Sequence, residues 1–390
     1  GTKVPMKVSP SNPDKETYAF AKTDQGLLDL LGSEDDRVIA VVEARMGVKS
    51  TIEETRTQRL IDVSKRGPLP IMLNYYGAHT GRFSGGDKLN LKNVPVRQGN
   101  AIRYAIVAPE GHKVVACDSS QIEARILAFL AKQTDLIEQF RLGHDVYQLF
   151  ADDLGVSRFV GKTCILGLGY GMGSIKFEDT LKRGSPSIKG NTDAAVIDDV
   201  EAKRIVYYYR SKFAAIKGLW SECDHMLTDM VAGRSGVLRG FLSYTPDGIK
   251  LPNDMLIRYN GLCQGEDGYQ YLSHPRDVRK HIANRFLTGD FHKINWTNIY
   301  GGKVTENIVQ ALARIVVSEQ ATAIKEAGYP VVLQVHDENV HDENVCVPVL
   351  SQVNSAQQVM ENVMSTPPSW ATDLPVACES AVGGNYGECK

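Results

Sequence analysis

Two apolar runs in this chain each end on acid. HKVVACD closes at Asp118, and VVLQVHDE reaches a charged turn at Asp337. Each has the length and β-branched content of a short buried strand. If the two strands are neighbours, their carboxylates meet. Residues 126–284, between them, read as mainly helical, VEAKRIVYYYRSKFAAIKGLWSECDHML included. The Gly, Pro and Tyr content of 233–275 instead predicts hairpins or a long irregular insertion. SSQIEARILAFLAKQ reads as an amphipathic helix that Ser119 or Ser120 can cap. A long helix is expected from about Lys303 to Ala327, ended by the Gly328-Tyr329-Pro330 break.

Ahead of these elements, residues 1–34 are polar and turn-rich, with Ser9-Pro10-Ser11-Asn12-Pro13 as a loop. Asp36 to about Val63 reads as one or two helices, RGPLP breaks the chain, and the block at 71–100 reads as loop with short strands. The 390 residues suffice for two or three domains or one multi-lobed one. No apolar run reaches the roughly 18 residues of a membrane span, and the N-terminus lacks a signal core. Seven scattered cysteines without CxxC or Cys/His spacing point to reduced cytosolic thiols rather than disulfides or zinc. The net charge of −2 argues against a wholly basic coat protein, yet leaves room for an enzyme with a local basic groove. HDENV occurs at 336–340 and again at 341–345, a duplication inside one hairpin.

RFVGKTCILGLGYGMG, from Arg158 to Gly173, holds a Gly-Lys-Thr triplet. A phosphate-cradling P-loop needs its first glycine where Val156 stands; Gly155 misses by one, and no apolar strand precedes it. Read as a helix, Arg158, Lys162, Leu166 and Tyr170 form one slanted stripe roughly 18 Å long. Two cations, an apolar side chain and a ring could hold triphosphate, sugar and base in that order. Taken alone, the stripe reads first as a solvated surface. Gly167, Gly169, Gly171 and Gly173 are costly in a helix, and predict close backbone approach to a ligand or an end that bends.

Phosphoryl transfer is mostly charge positioning, and two divalent ions can clamp the attacking and leaving oxygens. Mg²⁺ takes one or two carboxylates plus substrate phosphates. Asp118 and Asp337 suit such a site, although either alone reads as an ordinary turn residue.

The combination is more specific. DSSQIEARILA at 118–128, the helix carrying Arg158, Lys162, Leu166 and Tyr170, and QVHDE at 334–338 follow in this order. They resemble the three signature motifs of family A DNA polymerases, the DNA polymerase I-like enzymes. TGRFSGGDKLNLKNVP at 80–95 resembles the segment before the first motif, and VACESAVGGNYGECK the family's ending. KVTENIVQALAR at 303–314 looks most like bacteriophage members. The resemblance spans about Val38 to Lys390.

It implies an α+β, right-hand polymerase: an antiparallel-sheet palm, mostly helical fingers and a truncated thumb. On that reading 1–79 is partial thumb and N-terminal segment, 80–125 and 285–390 are palm, and 126–284 are fingers. It implies a template-directed DNA polymerase that adds deoxynucleotides to a primer 3′ end by two-metal phosphoryl transfer. Two Mg²⁺ ions (Mn²⁺ as a substitute), primer–template DNA and deoxynucleoside triphosphates are the implied cofactors and partners. The chain would be a cytoplasmic monomer away from membranes, in the host cell if it comes from a phage. TGRFSG begins so early that no full thumb or 3′–5′ exonuclease fits ahead of it, which predicts a weak grip on DNA and low processivity.

Residue by residue, the resemblance implies metal binding by Asp118, Asp337 and the Ser119 carbonyl, with Glu338 in support. Arg158 and Lys162 would bind the triphosphate, Lys162 donating a proton to pyrophosphate. Tyr170 would pack against the templating pair, and Glu123 would exclude a 2′-hydroxyl. Gln121 and His336 would lie near the primer end or incoming nucleotide, while Arg82, Asn90 and Asn93 would touch primer–template. Gln310 is expected at the DNA on the long helix, where Glu306, Asn307 and Arg314 are also available but match the family pattern imperfectly.

Other departures are Asp-Ser-Ser-Gln for the usual Asp-Tyr-Ser-Gln, Leu166 for the usual aromatic residue, and the doubled HDENV. The first copy is taken as catalytic because VVLQV leads into it; Asp342 of the second is the alternative. A single-subunit RNA polymerase shares the palm chemistry, but Glu123 and the HDE triplet favour DNA. A non-catalytic primer–template-binding remnant fits less well with Asp118, Asp337, Arg158 and Lys162 all present.

Overall fold

A computed structural model describes residues 3–9, 12–21, 24–33, 35–47, 52–86, 91, 101–183, 197–285, 293–336 and 342–389. The chain forms two compact units: residues 1–69 with 274–296, and residues 70–273 with 297–390. Among the described residues no helix is long and apolar enough to cross a membrane.

The first unit opens with a hairpin where the sequence reads as turn-rich loop. Strands Met6–Ser9 and Asn12–Tyr18 pair antiparallel, Met6 opposite Tyr18. Their polar composition hid them, since Met6 and Val8 face solvent and Lys7 pairs with Asp24 at 2.6 Å. Helices Asp36–Gly47 and Ile52–Ser64 follow as expected, and helix Pro275–Asn284 returns to the same unit.

The second unit holds every described site candidate. Its central strand β1 (Val114–Ser119) leads into helix α1 (Ile122–Ala131). Neither Ser119 nor Ser120 caps that helix. Gln121 stands at the N-cap in the left-handed region, φ 54°, without a capping side-chain bond, a strained conformation for a non-glycine residue. The Arg158 segment forms α2 (Arg158–Thr163), which passes into a π-helical turn at Cys164–Leu168. The long α3 (Gly301–Glu326) runs to strand β2 (Val331–His336), then β3 (Asp342–Cys346), α4 (Val353–Met364) and β4 (Cys378–Gly383). The expected hairpins at 233–275 are present, as an antiparallel four-stranded meander between Gly236 and Arg258. Beyond it, strands Cys263–Gly265, Gly268–Tyr271 and Thr297–Ile299 make a three-stranded sheet.

The sheet that carries the site has the order β2-β3-β1-β4, all antiparallel. The two apolar runs that end on acid are therefore not direct neighbours, because β3 lies between them. Period-two alternation divides β1 by face. Val115 and Cys117 pack with Ile324 of α3 and with Met360 and Met364 of α4. Ser119 points the same way, its hydroxyl donating to Gln320 of α3 at 3.3 Å. Asp118 belongs to the opposite face. A larger core joins α1, α3 and the helices Asp199–Lys212 and Ala214–Val231 through Leu127, Ile205, Leu219, Ile308 and Leu312.

Candidate active site

Three carboxylate residues stand in register across this sheet. Glu343 of β3 and Glu379 of β4 each pair with Asp118, one on either side. Directly opposed residues project to one face, with Cβ atoms roughly 4.5–5.5 Å apart, and like charges so placed repel. Glu343 is buried and turned to a cation: Nη2 of Arg103 lies 3.2 Å from its Oε2. Tyr386 donates its hydroxyl to the same carboxylate. Glu379 is exposed. Among the described residues no three His, Cys, Asp or Glu side chains gather into a metal-binding group. Asp337 and Glu338, in the hairpin turn, lie outside the described residues, as do Asn90 and Asn93. His336 ends β2 with its backbone paired to Asp342, and its side chain is likewise outside them.

Near the start of α1, Glu123 is 8 % exposed and forms an ion pair with Arg82. The two residues given separate roles from sequence, one at the sugar and one at the DNA, thus hold each other. Next to this pair, Thr80 donates to Gln310 at 3.4 Å, Gln310 donates to Glu306 at 3.3 Å, and Lys303 reaches both Glu306 oxygens at 2.9 Å. Lys303, Glu306, Gln310 and Arg314 are half-buried at helical spacing along one stripe of α3. Arg314 lies 5.1 Å from both the Tyr75 and Phe83 rings. Asn307 leaves that stripe: it is buried and donates to Tyr259 at 3.1 Å, so it is a core residue. His79 sits between the Tyr259 and Tyr271 rings, where burial and then the Lys303 charge hold its imidazole below its ordinary value.

The cationic stripe survives with a change of helix type. Ser157 caps α2, accepting from the Val160 N–H at 3.4 Å. Arg158 is exposed, and Lys162, Leu166 and Tyr170 are half-buried. The stripe is not one continuous α-helix, since Leu166 falls in the π turn and Tyr170 on the turn after it. Such insertions are frequent at functional sites. Arg158 pairs with Asp145 at 2.6 Å. Burial works against that carboxylate's charge, but Arg158 and the Tyr147 and Gln148 N–H groups hold it below the usual range.

Close protein packing stands beside two of the costly glycines. A Cβ on Gly169 would stand 2.6 Å from Leu127 Cδ2, and one on Gly167 would stand 3.0 Å from Met172 Cε. The same tightness continues at the start of α3, where a Cβ on Gly301 would fall on the Trp220 carbonyl and one on Gly302 on the Tyr170 carbonyl. Trp220 also donates to the Gly169 carbonyl at 2.8 Å.

A family model for DNA polymerase family A matches residues 4–232. The chain belongs to that family. It is similar to the DNA polymerase of Bacillus phage SP02, 27 % identical over 315 residues, covering 75 % of this chain and 44 % of that one. It is also similar to a thermostable DNA polymerase I of Thermus filiformis, 27 % identical over 381 residues, covering 94 % of this chain and 38 % of the relative. The chain thus spans less than half the length of these two relatives. In fold it is similar to the polymerase domain of Pol1 from M. smegmatis, solved in complex with DNA primer-template and dNTP. That likeness has a TM-score of 0.61 at 21 % identity, covering 99 % of this chain and 58 % of the other.

Arg103, Glu343, Tyr386, Lys303 and Thr80 escaped the sequence reading. Arg103 has no local signal, and Thr80 and Tyr386 stood only inside the family-like segments at 80–95 and 376–390. Lys303 was visible only as the first residue of a phage-like segment, and Glu343 only as part of a repeat.

Proposed function

We propose that this chain is a template-directed DNA polymerase that extends a primer 3′ end with deoxynucleotides. The observation that carries the reading is the pairing, in a family A fold, of the Asp118 strand with the strand of the second HDENV copy, Glu343 opposite Asp118. The palm would be the β2-β3-β1-β4 sheet, and the fingers the helical region that includes α2.

The donor set suits Mg²⁺, which prefers oxygen ligands and few carboxylates. Asp118, the Ser119 carbonyl and one hairpin aspartate would hold it, with Mn²⁺ as a substitute. Bound there, such ions would stabilise charge on the attacking and leaving oxygens. Arg158 and Lys162 would neutralise the triphosphate, and Lys162 would give a proton to departing pyrophosphate. Arg158 must leave Asp145 to do so, a small cost for an exposed ion pair. Arg82 would exchange Glu123 for the primer–template, with Gln310 beside it. Gln121 would lie near the primer end or incoming nucleotide, and Tyr170 against the templating pair. Glu123 would stay to crowd a 2′-hydroxyl.

Mg²⁺-dependent extension of a labelled primer–template with deoxynucleotides tests the reading. The expected result is extension by the wild type and a loss of more than about 100-fold in Asp118→Ala. A folded wild-type protein that does not extend the primer overturns it.

The two HDENV copies call for a separate test. The sequence reading takes Asp337 and keeps Asp342 as the alternative; the pairing of β3 with β1 puts Glu343, not its neighbour Asp342, opposite Asp118. Asp337→Ala is expected to abolish extension and Asp342→Ala to retain most of it; the reverse result moves the role to Asp342.

A further inference from the structure

Nothing in the proposed reaction uses Arg103, yet it is among the most enclosed charged residues of the described chain, at 3 % exposure. It lies on the short helix Ala101–Tyr104 and reaches both oxygens of Glu343, at 3.2 and 3.5 Å. Its guanidinium also stacks 3.9 Å from the centre of the Tyr386 ring. Tyr386 is anchored in turn, its N–H donating to the Ile106 carbonyl at 2.8 Å. The buried cluster therefore ties the entry to β1, the strand β3 and the C-terminal segment to one carboxylate. That carboxylate belongs to the residue directly opposite Asp118. The Asp118 charge reaches the cluster: burial, then Glu343, push the Tyr386 hydroxyl up, and Asp118 adds to the effect.

An uncompensated Glu343 would repel Asp118 across the strand pair, and an unpaired buried charge is costly in itself. We infer that Arg103 is a positioning residue for nucleotidyl transfer. Its charge cancels that of Glu343, so that the affinity for a divalent cation at Asp118 is set by Asp118 itself and not by the carboxylate opposite it. This inference rests on the polymerase reading.

The test measures the Mg²⁺ concentration that half-saturates dNTP binding. The full chain is bound to a primer–template ending in a dideoxynucleotide, and binding is followed by fluorescence of a labelled template base. No turnover occurs, so the readout is independent of activity. Glu343→Gln leaves the Arg103 cation uncompensated and is expected to raise the half-saturating Mg²⁺ by at least about threefold. Arg103→Gln leaves the Glu343 anion uncompensated and is expected to lower it by a similar factor. The double variant removes both charges and is expected to return within about twofold of wild type. A role in packing alone would not move the two single variants in opposite directions. If one single variant does not fold, the sign of the other, read against the double variant, carries the test. The inference is overturned if either folded single variant stays within about twofold of wild type or moves the wrong way. It is overturned too if the double variant is no closer to wild type than the singles. Failure of the wild-type protein to bind dNTP at any Mg²⁺ concentration would instead sink the polymerase reading itself.

Discussion

At the scale of single residues, the candidate site is built from charged groups that hold one another. Arg82 occupies Glu123, Asp145 occupies Arg158, and Arg103 occupies Glu343. Leu166 is different, a half-buried apolar residue at a position where the family usually has an aromatic ring. Leu166→Tyr is expected to change the ratio of dideoxy- to deoxynucleotide incorporation, because this position would sit by the sugar. Single-nucleotide insertion rates for wild type and variant check it, and indistinguishable ratios would remove Leu166 from that role. His79 yields a prediction in pH. Its folded-state pKa is depressed from 6.5 by burial and Lys303, so it stays neutral where the unfolded chain takes up a proton. Stability is therefore full above about 6.5 and falls as pH drops below that value towards the folded pKa. His79→Phe, between two tyrosine rings, should flatten that part of a Tm-against-pH curve, and an unchanged slope would show that other groups cause it.

At the scale of elements, the joint between the Arg158 segment and α3 is closely packed. The π turn at Cys164–Leu168 ends on Gly169, whose carbonyl accepts from Trp220, and Tyr170 then crosses Gly302 with no room for a methyl group. The nearest atoms in the way at Gly302, the Tyr170 carbonyl, are backbone and cannot rotate aside. Gly302→Ala should thus cost about 1–3 kcal/mol in stability, as overpacking does, and weaken nucleotide binding by displacing Tyr170. Gly173→Ala, with open space around its Cβ, is the control and should change stability by less than about 0.5 kcal/mol. Denaturant unfolding of the two variants decides the matter, and equal stabilities would mean that the joint gives way easily. Sequence alone showed Gly169 to be costly. It could not say whether a ligand or another helix comes close, because that neighbour lies far along the chain.

For the whole molecule, the thiols divide by burial. All seven thiols are free: five are buried, and Cys263 and Cys378 are partly exposed. Cys378 is also the thiol held low, at about 7, chiefly by a hydrogen bond from Cys117. A thiol-reactive dye should label Cys378 first and Cys263 next in the native protein, and all seven in denaturant. Native labelling of Cys117, Cys164 or Cys223 would contradict this packing.

The amino-acid sequence by itself determined the strands that end on acid, the amphipathic helices, the cationic stripe and the order of the motifs. Each is written in the periodicity or turn chemistry of adjacent residues. It missed the N-terminal hairpin, whose polar strands are held by backbone pairing. Tertiary structure alone decided that β3 separates the two acid-tipped runs, that Arg103 meets Glu343 across 240 positions of sequence, and that Glu123 waits on Arg82. The two HDENV copies show why. Identical pentapeptides have identical local preferences, so nothing short-range can tell them apart, and only the strand that pairs with β1 distinguishes the second from the first.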